Sequence, residues 1–236
     1  MVSLRFAYVG SGLLALVFIF YTCYTWVPHF NVFEKNVVTT GIKNGIYSGT
    51  FDPPTKAHNA IIRNSITRLG LTKLYIFVNK NDAKNCKCTL DERIAMLRLM
   101  LADVRDKVVF VPQLSDNKHN EFLKIKQMAG GKCVLITGED SYKKRLMLPP
   151  SRRTEMDAIC IVPRDGKTSI NQLEANAFFL PLDMDKEVAS LSSTQARQKL
   201  VNKNYANVGL IPDVLTYILN NSLYGGERKK EVSYHV

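Results

Sequence analysis

The cysteines of this chain argue against a disulfide framework. There are five, an odd number, at the irregular positions Cys23, Cys86, Cys88, Cys133 and Cys160, whereas stapled domains carry dense, paired cysteines. Reduced thiols are the expectation. Cys86 and Cys88 have the wrong spacing for a zinc ribbon, and no second pair follows them, so they read as two loop thiols. The sequence also lacks internal repeats and low-complexity runs. From Phe6 to Val27 it lacks any charged side chain.

Those 22 residues, FAYVGSGLLALVFIFYTCYTWV, would span ~33 Å as a helix, against a hydrocarbon core of ~30 Å. Tyr8 sits near one end, and Tyr21, Tyr24 and Trp26 crowd the other, as an interfacial aromatic belt would. The run is long for a cleaved signal peptide, no clear small-x-small site follows it, and nothing amphipathic marks it as a buried core helix. The expectation is a single N-terminal transmembrane helix. Residues 1–38 would be anchor and connector, residues 39–226 the folded domain, and residues 227–236 a polar, basic tail.

The rest of the chain has the means to pack a core. Of 236 residues, 46% are hydrophobic and 22% charged, ordinary proportions for a globular protein. The length suits one α/β domain plus an appendage. Thirty-two Lys and Arg against 21 Asp and Glu give a formal net charge of +11. Such a surplus suits nucleic acid, a membrane surface or an anionic small substrate, and composition does not choose among them.

From Ile42 onward, strand-like and helix-like segments alternate. IKNGIYSG is a short strand ending in glycine, and TKAHNAIIRNSITRLG carries a helical apolar stripe at Ala57, Ile61, Ile62, Ile66 and Leu69, closed by Gly70. KLYIFVN, VVFVP, CVLITG, AICIVPR and NAFFLPL read as further strands. In TLDERIAMLRLMLAD, Thr89 and Glu92 have the spacing of a capping box. STQARQKLVN and PDVLTYILNNSL read as closing helices. This alternation predicts an α/β fold: a Rossmann-like, doubly wound, mainly parallel sheet with helices on both faces.

The densest chemistry lies in GTFDPPTKAH, Gly49 to His58, where a strand end meets a helix start. In doubly wound sheets, ligands bind outside the carboxyl ends of the strands. Gly49 would let the backbone approach a ligand, and helix-start amides attract phosphate. Thr55 can cap the helix, and His58 lies one turn on, so both side chains could meet one phosphate. From the residues alone this is either a phosphate site or an ordinary turn with a surface histidine.

The stretch resembles the signature of the adenylyl- and cytidylyltransferases, G-(T/S)-F-(D/N)-P-x-(H/T)-x-x-H, with Thr55 and His58 at its two key positions and Ala57 where many members have glycine. LSSTQARQKL resembles the same superfamily's second signature, S-S-T-x-(I/L)-R, through Ser192, Ser193, Thr194 and Arg197, with Ala196 where a larger aliphatic is usual. VLITGEDSYKKRL resembles the G-x-D segment of nicotinate-nucleotide adenylyltransferases through Gly138 and Asp140. ICIVPRDG resembles the R-x-G turn through Arg164 and Gly166, and LIPDVLTYILNNSLY resembles the family's closing run. The likeness covers about Ile42 to Tyr224 and leaves out the apolar N-terminal run.

The resemblance implies transfer of AMP from ATP to a phosphate-bearing acceptor, with release of pyrophosphate and no covalent intermediate. Such chemistry needs positioning and charge neutralisation rather than a protein nucleophile. His58, Thr55 and Arg197 would be catalytic. Gly49, Thr50, Phe51, Gly138, Asp140, Ser192, Ser193 and Thr194 would bind the nucleotide, and Lys80, Tyr142 and Arg164 the acceptor. Lys84 and Lys87 are further candidates for the acceptor phosphate. Mg2+ would ride mainly on the phosphates, with no metal ligands from the protein. The partners implied are ATP, the acceptor and the membrane, with no nucleic acid and with homo-oligomers left open. Nucleotide chemistry argues for a domain facing the cytoplasm.

The acceptor half departs from the pattern. Bacterial nicotinate-nucleotide adenylyltransferases usually place a tryptophan soon after the G-x-D turn, against the pyridine ring, whereas SYKKRLMLPPSRR has none. Tyr142 is the candidate substitute. The family's S-x-T-x-D-T-L segment has no clear counterpart in LSDNKHNEFLKI, and NKNDAKNCKCTLDERIAML looks closer to phosphopantetheine adenylyltransferases. Three readings therefore stand: nicotinate or nicotinamide mononucleotide as acceptor; phosphopantetheine, a sugar phosphate or a phosphoalcohol instead; or a non-catalytic nucleotide-binding membrane protein.

Overall fold

A computed structural model of the chain describes residues 41–80, 86–150, 153–163, 170, 173–180 and 184–225. The expected anchor at residues 6–27, Lys84, Arg164, Gly166 and the basic tail lie outside the described residues. Among the described residues, no helix is long and apolar enough to cross a membrane.

The chain runs β1 (Asn44–Gly49), α1 (Lys56–Arg68), β2 (Lys73–Val78), α2 (Leu90–Met100), a 3-10 turn (Ala102–Lys107), β3 (Val108–Pro112), α3 (Lys118–Ala129), β4 (Cys133–Gly138), α4 (Glu139–Leu146), β5 (Ala158–Val162), β6 (Ala177–Phe179), α5 (Lys186–Ala189), α6 (Ser193–Val201) and α7 (Pro212–Asn220). The six strands form one sheet in the order β3-β2-β1-β4-β5-β6, and every pairing is parallel. The doubly wound α/β architecture read from the alternation is therefore present. The sequence order reverses between β1 and β4, which makes their carboxyl ends the switch point of the sheet.

The strands read as compact apolar runs because both faces are covered. All five residues of β5 are buried, as are five of the six in β2. One face packs against Ile62 of α1, Met96 and Leu97 of α2, Leu200 of α6 and Val214 and Ile218 of α7. The other packs against Ile125 of α3 and Tyr142 of α4. The predicted stripe of α1 faces inward, with Ile62 and Leu69 fully buried. Leu69 caps that helix, and Gly70, just beyond it, takes a left-handed φ of 60°. Thr89 and Glu92 form the expected capping box. The four described cysteines are free thiols.

Candidate active site

At the switch point, β1 leaves the sheet at Gly49 and the chain turns through Thr50–Thr55 before α1 begins. Phe51 makes this turn with φ of 53°, and its ring folds back over Gly49. A Cβ on Gly49 would lie 2.5 Å from the Phe51 ring, so this glycine makes room for a side chain of its own turn. Phe51 is 1% exposed and meets the His58 ring edge-on, with centroids 5.0 Å apart. The histidine thus rests on an aromatic platform.

Thr55 holds the histidine from the other side. Its backbone N–H donates to His58 Nδ1 at 3.0 Å, and its Oγ1 lies 2.9 Å from the same nitrogen. A backbone amide can only donate, so Nδ1 is an acceptor and the neutral ring carries its proton on Nε2. The arrangement is a capping box in which histidine takes the place of glutamate. Thr55 is completely buried and is not part of the cavity wall. The three-residue spacing therefore brings one side chain, His58, rather than two to the cavity. The first amide of α1 is also committed, Lys56 N–H donating to Gly209 O at 2.9 Å.

The second motif closes over the first. Ser192 caps α6 and accepts the Gln195 N–H. The Ser193 hydroxyl donates to Pro53 O at 2.8 Å. Arg197 donates to Asp52 O at 2.5 Å and to Thr194 Oγ1 at 3.3 Å. Between the two motifs lies a cavity of about 390 Å³. Its walls are the β1 end from Ser48 to Asp52, then Ala57, His58 and Ile61 of α1. Gly138 and Ser141 close it at the β4 end and Val162 and Pro163 at the β5 end. Met184, Ala189 and Leu191 add an apolar wall, and Ser192, Ser193, Thr194 and Arg197 complete it.

A model of the cytidylyltransferase-like family matches residues 46–199, from β1 through Arg197. The chain belongs to the cytidylyltransferase-like family. Within it, the chain is 26% identical over 198 residues to the probable nicotinate-nucleotide adenylyltransferase of Chlorobaculum parvum, covering 78% of this chain and 99% of that one. It is 25% identical over 160 residues to the phosphopantetheine adenylyltransferase of Lactococcus lactis, covering 63% of this chain and 95% of that one. Among solved structures, the Plasmodium falciparum nicotinic acid mononucleotide adenylyltransferase complexed with NaAD superposes with a TM-score of 0.63 at 17% identity, covering 79% of this chain and 98% of that one. The same enzyme complexed with APC gives 0.61 at 18% identity, with coverage of 78% and 98%. At such identities the superpositions show the fold.

Several residues singled out from the sequence of this family member stand apart from the cavity. Tyr142, read as a substitute for the stacking tryptophan, is fully buried. It packs in the second core cluster, and its hydroxyl accepts the Glu174 N–H at 2.8 Å. It therefore holds the approach to β6 and is not part of the cavity wall. Asp140 is exposed in the first turn of a helix, α4, rather than in a loop turn, and the wall there is Gly138 and Ser141. Lys80 is exposed beyond β2, its Nζ 3.9 Å from Asp116 Oδ1 and its N–H donating to Gln113 Oε1 at 3.1 Å.

Three side chains that shape the site went unnoticed in the sequence. Arg93 of α2 is 2% exposed and donates to Thr50 O at 2.8 Å and Asn79 O at 2.7 Å. Asn79 pairs with Ser48 across the ends of β2 and β1 at 3.1 Å, and its N–H donates to Gly49 O at 2.8 Å. Asp52 is 2% exposed and accepts the Lys87 N–H at 2.9 Å.

Proposed function

We propose that this protein transfers AMP from ATP to a phosphate-bearing acceptor with release of pyrophosphate, and that the acceptor is nicotinate or nicotinamide mononucleotide. The observation that carries the reading is the meeting of His58 and Arg197, from two distant motifs, in one cavity at the β1/β4 switch point. Its relatives along nearly their whole length bear the name nicotinate-nucleotide adenylyltransferase.

An oxygen of the acceptor phosphate would attack the α-phosphorus. The new P–O bond forms as the bond to the bridging oxygen breaks, and pyrophosphate departs with that electron pair. No protein nucleophile takes part. His58 Nε2–H would donate to phosphate oxygens as negative charge grows on them. Arg197 would grip the departing side with its planar, always charged guanidinium. Ser192, Ser193 and Thr194 would line the phosphate path, while Thr50, Phe51 and Gly49 shape the turn beneath it. Met184 and Leu191 would cover the base.

Mg2+ fits this site as a passenger of the nucleotide. Among the described residues no group of three or more His, Cys, Asp or Glu side chains is placed to hold a metal. The carboxylate in the wall, Asp52, is committed to Tyr224 and to Lys87 N–H. Phosphate and water oxygens would be its ligands, and bound there it would neutralise phosphate charge.

A second reading, phosphopantetheine as acceptor, is favoured by one observation. The residue that would have stacked on a pyridine ring, Tyr142, is sealed in the core, and phosphopantetheine adenylyltransferases are also among the relatives. Pyrophosphate release from ATP decides between them. Release with nicotinate or nicotinamide mononucleotide and not with phosphopantetheine or a phosphoalcohol is the expected result. Release only with another acceptor overturns the acceptor assignment. ATP binding with no release for any acceptor overturns the enzymatic reading. The uncharged run Phe6–Val27 would hold the domain at a membrane, with the nucleotide site toward the cytoplasm.

The two cavity glycines should fail in different ways. Gly49→Ala drives a Cβ against the buried Phe51 ring and is expected to cost about 1–3 kcal/mol of stability in chemical denaturation. Gly138 has nothing within 4 Å of a Cβ and lines the cavity. Gly138→Ala should melt like the natural chain yet raise the KM for ATP about 10-fold, because its methyl enters ligand space.

A further inference from the structure

The turn that carries the first motif is tied to the last described residues of the chain. The Tyr224 hydroxyl donates to Asp52 Oδ1 at 2.6 Å, and both residues are buried, at 7% and 2% exposure. Burial, followed by the neighbouring Cys88 and Asp52, pushes the phenol far above its usual value, so it remains a donor at every working pH. Tyr224 reaches this position with a left-handed φ of 60°, a conformation that a bulky L-residue adopts only when its surroundings over-determine it. The other carboxylate oxygen, Oδ2, accepts the Lys87 N–H and lies 3.9 Å from Arg197 Nη1.

The consequence falls on the second motif. Asp52 O accepts from Arg197, and the next carbonyl, Pro53 O, accepts from Ser193. Among the described residues, Arg197 also borders a second hollow of about 570 Å³, together with Lys87, Gln198, Asn202 and Tyr224. Its hydrogen bonds to Asp52 O and Thr194 Oγ1 hold the guanidinium between the two hollows. We propose that Tyr224 is a positioning residue: by holding the Asp52 carboxylate it sets the two carbonyls that aim Arg197 and Ser193 into the cavity. This rests on the reading of Arg197 as the phosphate clamp.

The test is a double-mutant cycle between Tyr224→Phe and Arg197→Ala, read both as kcat/KM for pyrophosphate release and as the Kd of ATP by calorimetry. Tyr224→Phe removes one hydroxyl. It is expected to melt cooperatively and to weaken each readout about 10-fold. In the Arg197→Ala background the same change should cost less than about twofold, because the group it aims is gone. Equal losses in both backgrounds, or a lowered melting temperature with both readouts unchanged, would overturn the proposal. If the natural chain binds ATP but releases no pyrophosphate, the enzymatic reading fails, and the ATP-binding cycle still decides the role of Tyr224.

Discussion

Replacing His58 by alanine is expected to lower turnover about 100- to 1,000-fold while leaving the Kd of ATP within about threefold of the natural chain. The asymmetry follows from geometry. The ring sits on the Phe51 platform, with Nδ1 tied to the Thr55 amide, so its single donor, Nε2–H, is fixed in direction before substrate arrives. A neutral donor contributes little to ground-state phosphate, which Arg197 and a nucleotide-borne Mg2+ would already neutralise. It contributes more as charge shifts onto the oxygens of the transition state. Single-turnover kinetics with a saturating acceptor, alongside calorimetric ATP binding, separate the two quantities. Turnover close to that of the natural chain would remove His58 from the chemistry. An equal loss in affinity and turnover would recast it as a binding residue.

That donor was legible in the sequence, but its support was not. GTFDPPTKAH placed Thr55 and His58 on one helical turn, and periodicity alone suggested two side chains aimed at one phosphate. Whether a side chain at a helix start points out or in depends on what packs above it. Here the loop carrying Gly209 covers the first turn and takes the Lys56 amide, leaving Thr55 completely buried. Gly49 is similar: a glycine before a turn reads as room for ligand, and only the backward fold of Phe51 shows the ring that needs the space.

The sheet was easier to read than the helices on one of its faces. Parallel strands covered on both sides stand out as apolar runs, and β2, β4 and β5 are of that kind. The helices α3 and α4 were not anticipated because each buries very little: Glu121 and Ile125 in α3, and Tyr142 alone in α4. Without an apolar stripe there is no period to detect. The misreading of Tyr142 has the same origin. Once EDSYKKRL is a helix, Tyr142 and Leu146, one turn apart, must turn toward the sheet, and a side chain taken for a substrate contact becomes part of the core.

Arg93→Met is expected to destabilise the protein by about 2–5 kcal/mol, although Arg93 is not part of the active-site cavity wall. The residue is 2% exposed, and its guanidinium donates to the Thr50 and Asn79 carbonyls from one nitrogen, Nη1. Those carbonyls belong to the chain just beyond β1 and just beyond β2, so one side chain fastens the two segments that frame the switch point. Methionine fills most of the volume but donates nothing, leaving the buried Asn79 carbonyl and the partly buried Thr50 carbonyl without that partner, at about 1–3 kcal/mol for each that water does not reach. The third acceptor, Thr89 O, also receives the Arg93 backbone N–H and is not orphaned. In the sequence Arg93 stands inside TLDERIAML as one more charge on an amphipathic helix, where the ordinary expectation is a solvated arginine. Urea denaturation of Arg93→Met beside Arg98→Met, a neighbouring arginine of the same helix, measures the difference. Equal and small losses would show that the carbonyl bonds of Arg93 hold nothing the rest of the sheet does not already hold. A large loss at Arg93 alone would make the buried guanidinium the clasp of the active-site floor.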